Sequence, residues 1–398
     1  MKHWVTKRYQ ADLNKIADRY GISTILAELL VKRGLFDWES MDRFLFPEME
    51  KLRDAYQMKD FEKAVLLLED AIKKGEKIKV VGDYDVDGVT STYILVHGIT
   101  LLGGKAGYRI PHRVKDGYGM RDYMAEEAHE EGYRMLLTCD NGISAYDAAV
   151  RAKELGMTLV ITDHHEVPKK EGKDVLPPAD AIVDTKQQDC PYPFKELCGA
   201  GIAFKLMQAL FSRAGRKDAE KELLPFAAIA TVCDVVPLFD ENRILVKKGL
   251  ELLEHPENMG LKKLVDAQEL HRKINVGDLG FRLGPCINAA GRLSDAKTGL
   301  ELFLEEDAAI AEKMARELIA LNEERKVYTQ KATESAVRMI EDASFCQKSV
   351  YVILLSECHE SIAGIVAGRL REKYFHPVIV LTKGERGLKG SGRSIPKY

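Results

Sequence analysis

Three short apolar runs in the first half of the chain, residues 78–81, 135–139 and 157–161, are each followed closely by a tight polar cluster. The clusters are Asp83-Tyr84-Asp85-Val86-Asp87-Gly88, Asp140-Asn141-Gly142 and Asp163-His164-His165. Runs of four or five apolar residues bounded by turn-forming residues read as strands buried on both faces. Helical patterns separate them over residues 89–102, 123–131 and 145–155, with Asp87 as the cap of the first. Alternating strand and helix is the pattern of a parallel sheet covered by helices. In such a sheet all three clusters fall on one edge, outside the carboxyl ends of the strands, where open α/β sheets place their sites. Carboxylates crowded there repel one another unless cations lie between them, so the pattern predicts a multi-metal site and phosphoester chemistry.

Simpler readings of the clusters are weaker. The Asp83-x-Asp85-x-Asp87-Gly88 spacing fits the opening of an EF-hand loop, but its twelfth position is Ile94 rather than a bidentate glutamate, and a strand precedes it where a helix is required. Helix caps and tight turns would explain any one cluster. They do not explain three at three strand ends, one with adjacent histidines. Carboxylate and imidazole donors suit Mn²⁺ or Mg²⁺, and the histidine favours Mn²⁺. Two divalent ions sharing a bridging carboxylate form the arrangement that drives in-line displacement at phosphorus.

The rest of the chain organises around this unit. Residues 1–76 read as a helical lead, with Gly21 and Gly34 as helix stops. Further strands are expected at 181–183 and 108–110, and a helix over 223–233 leads into Asp234. Residues 307–342 contain no Gly or Pro and predict one long helix, broken at most once, acting as a spacer because its apolar stripe is narrow. Strands at 350–355 and 378–381 flank a helix at 362–374 and make a second α/β unit. The expected domains are therefore 1–76, 77–300, a connecting helix 301–342, and 343–398.

Composition excludes other classes. The net charge of −3 advertises no global nucleic-acid field, although the last sixteen residues hold Lys383, Arg386, Lys389, Arg393 and Lys397 against Glu385 alone. Seven scattered cysteines without a C-x-x-C pair argue against a disulfide framework or structural zinc and suit a reducing cytoplasm. The start, Met1-Lys2-His3-Trp4, carries no apolar signal core, and no run of about 18 apolar residues occurs. A cytoplasmic protein without a membrane partner is expected.

The three clusters, with Cys233-Asp234-Val235-Val236-Pro237-Leu238, resemble the four motifs of the DHH phosphoesterase superfamily, and most closely its bacterial 5′→3′ exonucleases specific for single-stranded DNA. The resemblance extends to Arg33-Gly34-Leu35, Gly284-Pro285, Asn288 through Arg292, Ile362 through Ala367 and Lys389 through Ser394, the last typical of the DHH-associated domain. It implies that Asp85 and Asp140 hold one metal, and that Asp87, Asp140, His164 and Asp234 hold the other. It also implies that Asp83 and Asp163 support these ligands and that His165 faces the scissile phosphate. Ser391, Gly392 and Arg393 resemble a loop that binds the nucleic acid backbone or its 5′ end. Arg292 is a candidate for a similar phosphate contact, with a structural salt bridge as the alternative.

Three departures from the family stand out. Val81 occupies a position where other branches place a metal-binding histidine, so Asp83 or water is expected to complete the first metal's ligands. Cys286 stands where a basic residue is common. The chain stops at Tyr398, just past the glycine-serine segment, where the family continues through the associated domain and an OB-fold, so a truncated associated domain is expected. The implied function is two-metal hydrolysis of single-stranded DNA from the 5′ end in DNA repair and recombination, with a single-strand-binding protein and a helicase as candidate partners. The alternatives are a small-substrate oligoribonuclease or cyclic-dinucleotide phosphodiesterase of the same superfamily, and a non-catalytic DNA-binding scaffold.

Overall fold

In the computed structural model, which describes residues 10–342, 349–384, 387–396 and 398, the expected strands form one parallel five-stranded sheet. Its members are β1 (Lys77–Val81), β2 (Lys105–Arg109), β3 (Met135–Cys139), β4 (Thr158–Thr162) and, after a two-residue hairpin of β5 (Lys169–Lys170) and β6 (Lys173–Asp174), β7 (Ala181–Val183). The order is β2-β1-β3-β4-β7, so the chain reverses direction across the sheet between β1 and β3. Alternate side chains feed two cores. Val80, Leu137 and Val160 join the larger one, and Val81, Leu136 and Leu159 the smaller one on the opposite face. Burial on both faces is why these strands read as mostly apolar runs rather than alternating ones.

The helical lead has a small core of its own around Ile16, Leu30, Val31 and Met41, closed by caps at Asp12, Ser23 and Asp37. Gly21 terminates the first helix in the left-handed region, at φ 62°, as its position suggests. The lead's last helix, Phe61–Lys74, lies instead on the main core through Phe61, Val65 and Leu68.

Helix Ala308–Glu341 is continuous over 34 residues and does more than separate two units. Its first half buries Ala311, Ala315 and Leu318 in the main core, and its second half buries Ala336 and Ile340 in the core of the second unit. The narrow stripe suffices because small residues let the helix lie close to its neighbours.

The second unit is a three-stranded sheet of β8 (Tyr351–Leu354), β9 (Val378–Gly384) and β10 (Gly387–Arg393), backed by helix Ala363–Tyr374. β8 and β9 are parallel and β10 is antiparallel. The glycine-serine segment expected as a loop is thus strand β10. Its glycines carry little strand propensity, and pairing with β9 supplies what local sequence does not. Met1 to Trp4, Glu385, Arg386 and Lys397 lie outside the described residues. No helix among those described is long and apolar enough to cross a membrane, and the six cysteines described are free.

A candidate metal centre beside an arginine pocket

The turns after β1, β3 and β4 converge at the point where the sheet order reverses. After β1, Asp85 caps the following helix by accepting from the Gly88 amide at 3.1 Å, so the helix begins at Val86 rather than Val89. Asp87 is therefore not the expected cap. It sits in the first turn and points inward, where its two oxygens accept from the Gly199 and Ala200 amides at 2.7 Å each. Those amides open helix Gly199–Arg213, so the helix end favours a charged carboxylate.

After β3, Asp140 adopts φ 59°, and its carbonyl accepts from the Tyr118 hydroxyl at 2.8 Å. Asn141 ties the turn down by donating to the Val81 and Cys139 carbonyls. After β4, Asp163 is saturated. Oδ1 accepts from the His164 amide at 2.8 Å and lies 2.8 Å from His165 Nδ1, and Oδ2 accepts from the Ile143 amide at 2.9 Å. Burial pushes its carboxyl up, but the His165 and Ile143 hydrogen bonds outweigh that and hold it below the usual range.

His164 stands at the centre. Its Nε2 lies 2.9 Å from Asp140 Oδ1 and 3.4 Å from Asp87 Oδ2, and its Nδ1 lies 3.9 Å from Asp234 Oδ2. Among the described residues, three sets offer donor atoms all within 4.8 Å of one another: Asp83, Asp85 and Asp140; Asp87, His164 and Asp234; and Asp140, His164 and His165. Asp140 belongs to two of these sets.

The electrostatics call for cations. Burial and then the charge of Asp85 push Asp83 up to about 8. Burial, Asp87 and Asp85 do the same to Asp234, also to about 8. Asp140 is raised well above the usual range by burial and by Asp87, Asp85 and Asp83. Asp83 Oδ1 is buried with no hydrogen-bond partner. Oxygen donors with one central imidazole and an orphaned buried carboxylate oxygen fit hard divalent ions such as Mn²⁺ or Mg²⁺. Val81 belongs to the smaller core and offers no ligand, while Asp83 lies beside Asp85.

The structure also gathers Arg292, Ser391 and Arg393 around one cavity of about 500 Å³, together with Arg113 and Lys389. Gly392 is not part of its wall, because it falls on the other face of β10, opposite Ile379. Arg292 forms no salt bridge among the described residues. It donates to the Ser361 carbonyl at 2.8 Å, and the Ser361 hydroxyl donates back to the Arg292 carbonyl at 2.7 Å. Burial and the nearby Arg113 and Arg325 lower it to about 10, so it stays charged at neutral pH in a cavity whose one acid, Glu360, is paired with Lys389 at 2.5 Å. Cys286 is away from this wall, buried and hydrogen-bonded to Gln268 and the Arg282 carbonyl.

Sequence reasoning overlooked Arg113, Tyr118 and Gly199. Arg113 follows β2 on the same sheet edge as the acidic clusters, and that placement was the available signal. Its guanidinium lies 3.9 Å from the centre of the Tyr84 ring. Gly199 is needed for close approach, since a Cβ there would stand 2.7 Å from the Asp140 Cβ. Gly199→Ala is expected to cost about 1–3 kcal/mol by overpacking and, by displacing Asp87 and Asp140, to lower any hydrolytic rate about 10²-fold. Thermal melts and assays side by side check this, and full activity would show that the ligands tolerate the shift.

Comparison with known proteins identifies relatives of the chain. Residues 77–231 match the DHH family, N-terminal domain. The chain is 39% identical over 403 residues to the single-stranded-DNA-specific exonuclease RecJ of Bacillus subtilis (strain 168), covering 98% of this chain and 49% of that protein. It is 37% identical over 388 residues to the Escherichia coli (strain K12) RecJ, covering 93% and 66%. It therefore spans about half to two thirds of the length of these relatives. A crystal structure of exonuclease RecJ bound to manganese aligns with a TM-score of 0.75 at 35% identity, covering 85% of this chain and 83% of that one. RecJ from Thermus thermophilus in complex with Mn²⁺ aligns with a TM-score of 0.82 at 31% identity, covering 99% and 55%.

Proposed function

The chain belongs to the RecJ family of DHH proteins, and on that premise we propose that it hydrolyses phosphodiester bonds of single-stranded DNA from the 5′ end. The observation that carries this reading is the juxtaposition of a carboxylate-histidine cluster with an arginine pocket. Asp85 and Asp140, with Asp83 beside them, would hold one divalent ion, and Asp87, Asp140, His164 and Asp234 the other. Ions bound there would neutralise charge developing on the phosphate oxygens and lower the pKa of water.

The chain's own residues supply the rest. Asp163 fixes His165 through Nδ1, so a proton for the leaving oxygen would be carried on Nε2. Tyr118 holds both the Asp140 carbonyl and the His165 ring, which sets the distance between the ligand cluster and the proton donor. Arg113, Arg292 and Arg393 offer a cradle of planar cationic forks suited to a terminal phosphate. Arg113 also acts by its charge on Asp83 and Asp85, so a 5′ phosphate seated there would lie beside the metal cluster. Work in repair and recombination, a cytoplasmic place, and association with a single-strand-binding protein or a helicase belong to the same proposal.

The test is Mn²⁺-supported degradation of a long single strand blocked at one end. A 5′ block is expected to stop hydrolysis and a 3′ block to leave it running. Equal degradation of both would overturn the 5′ assignment. Cleavage of dinucleotides with none of long strands would favour the small-substrate alternative.

A further inference from the structure

A second cationic cleft is walled in part by residues that follow Asp234 closely in the chain. It has a volume of about 360 Å³ and is walled by Arg33, Leu35, Phe44, Leu238, Phe239 and Arg243. Neither arginine has a carboxylate within 4 Å among the described residues. The neighbouring arginines do: Arg43 and Arg53 both lie on Asp240, and Arg43 also pairs with Glu39. The local acids are thus already taken.

The Arg243 guanidinium is held in place by the protein, and Arg33 faces it from the exposed side. Arg243 Nε donates to the Phe44 carbonyl at 2.5 Å, and its guanidinium lies 3.8 Å from the centre of the Phe44 ring. Arg33 Nη1 donates to the Leu29 carbonyl at 3.4 Å. Burial, and after it the charge of Arg33, lower the pKa of Arg243. Holding two cations this way costs free energy unless an anion shares the cleft.

Chain connectivity ties the cleft to the metal cluster. Phe239 is five residues past Asp234, at most about 18 Å of chain. It is 41% exposed, with its ring edge-to-face against Phe194 at 5.6 Å. Between them Val235 is 85% exposed with φ 61°, a strained backbone for a β-branched residue. At the opposite end of the cluster, Asp83 and Asp85 feel the charge of Arg113 in the first pocket.

We propose that Arg33 and Arg243 bind a backbone phosphate of the nucleic acid strand on the far side of the metal cluster from the arginine pocket, with Phe239 available for a base to stack on. This rests on the nuclease reading above. If the first pocket takes the 5′ phosphate, this cleft takes a phosphate roughly three nucleotides toward the 3′ side. The chemistry is that of single-strand grips generally, backbone charge paired with an aromatic platform.

The test measures binding, in the Asp140→Asn variant of this chain, of a fluorescent oligothymidylate of about 20 nucleotides and of a trinucleotide too short to span both sites. Arg33→Gln, on the exposed side of the cleft, and Arg243→Gln are each expected to weaken the long strand about tenfold more than the trinucleotide and to lower the salt slope by about 1. Unchanged long-strand affinity and slope in both variants would overturn this inference and leave the nuclease reading intact. Failure of the Asp140→Asn parent and the wild type alike to bind the long strand would overturn both. If inorganic phosphate binds the wild type and not Arg33→Gln while strand affinity is the same, the cleft takes free phosphate and the strand assignment fails.

Discussion

Asp140→Asn is expected to lower Mn²⁺-supported hydrolysis at least about 10³-fold, the loss of several kcal/mol of transition-state charge stabilisation. It is also expected to raise the melting temperature of the metal-free protein at pH 8. The two effects have one cause. Asp140 is placed between both ligand sets, so its carboxylate is the shared donor when cations are present and the most crowded charge when they are absent. Asparagine keeps the shape and tolerates the φ of 59° that Asp140 adopts, so the change removes charge without straining the turn.

The sign of the pH dependence follows from the direction of the shifts. Asp83 and Asp234 are raised in the folded protein to about 8, and Asp140 is raised as well. The native state therefore binds more protons than the unfolded chain between the ordinary carboxylate range and about pH 8. Stability of the metal-free protein is fully present at the acid end of that window and is lost as pH rises through it. The wild type should melt progressively lower from pH 5 to pH 8, Asp140→Asn should fall less steeply, and Mn²⁺ should restore the wild type most at the alkaline end. Thermal melts with and without chelator decide the matter. A wild type that is equally stable across the window without metal would sink the crowding argument, and retained hydrolysis by Asp140→Asn would sink the assignment of Asp140 as the shared ligand.

The second large effect lies away from the site. Lys205→Met is expected to destabilise the protein by about 3–5 kcal/mol, because it leaves a buried carboxylate without its cation. Lys205 is 1% exposed and Glu241 is fully buried, and they pair at 2.5 Å. Glu241 also accepts from the Tyr192 hydroxyl and the Arg53 amide, and Lys205 donates to the Arg53 carbonyl at 2.8 Å. The pair thereby fastens the stretch of the helical lead around Arg53 onto two helices of the main unit. Adding Glu241→Gln should recover about half or more of the loss, since the amide keeps an acceptor for the Arg53 N–H and removes the stranded charge. Single and double variants compared by thermal melting provide the check. A loss under about 1 kcal/mol for Lys205→Met would show that water reaches the pair.

Much of the ligand cluster was legible without coordinates because a parallel strand covered on both faces must be a continuous apolar run, and a residue following it must lie on the sheet's carboxyl edge. Asp83, Asp85, Asp140, Asp163 and the two histidines could be placed on that edge from spacing alone. Asp234 was less accessible: it follows a helix, and only its likeness to a known motif pointed to it. The helix after β1 was placed three residues late because Asp85 and Asp87 are equally good caps by residue type. The choice between them is made by the Gly199 and Ala200 amides, which draw Asp87 inward from more than a hundred residues away.

Local pattern thus determined which segments are strands, which edge of the sheet is acidic, and that the donors suit a hard divalent ion, since each of these depends on a residue and its near neighbours. Tertiary structure alone decided the rest. The pairing of glycine-rich β10 with β9 turned an expected loop into a strand and separated Gly392 from Ser391 and Arg393. The packing of helix Ala308–Glu341 against both cores joined what its composition suggested it would hold apart. The gathering of Arg113 with Arg292 and Arg393, and of Arg33 with Arg243, draws together residues far apart in the chain. Apolar burial constrains such encounters only collectively, and charge leaves no periodic trace in the sequence to announce them.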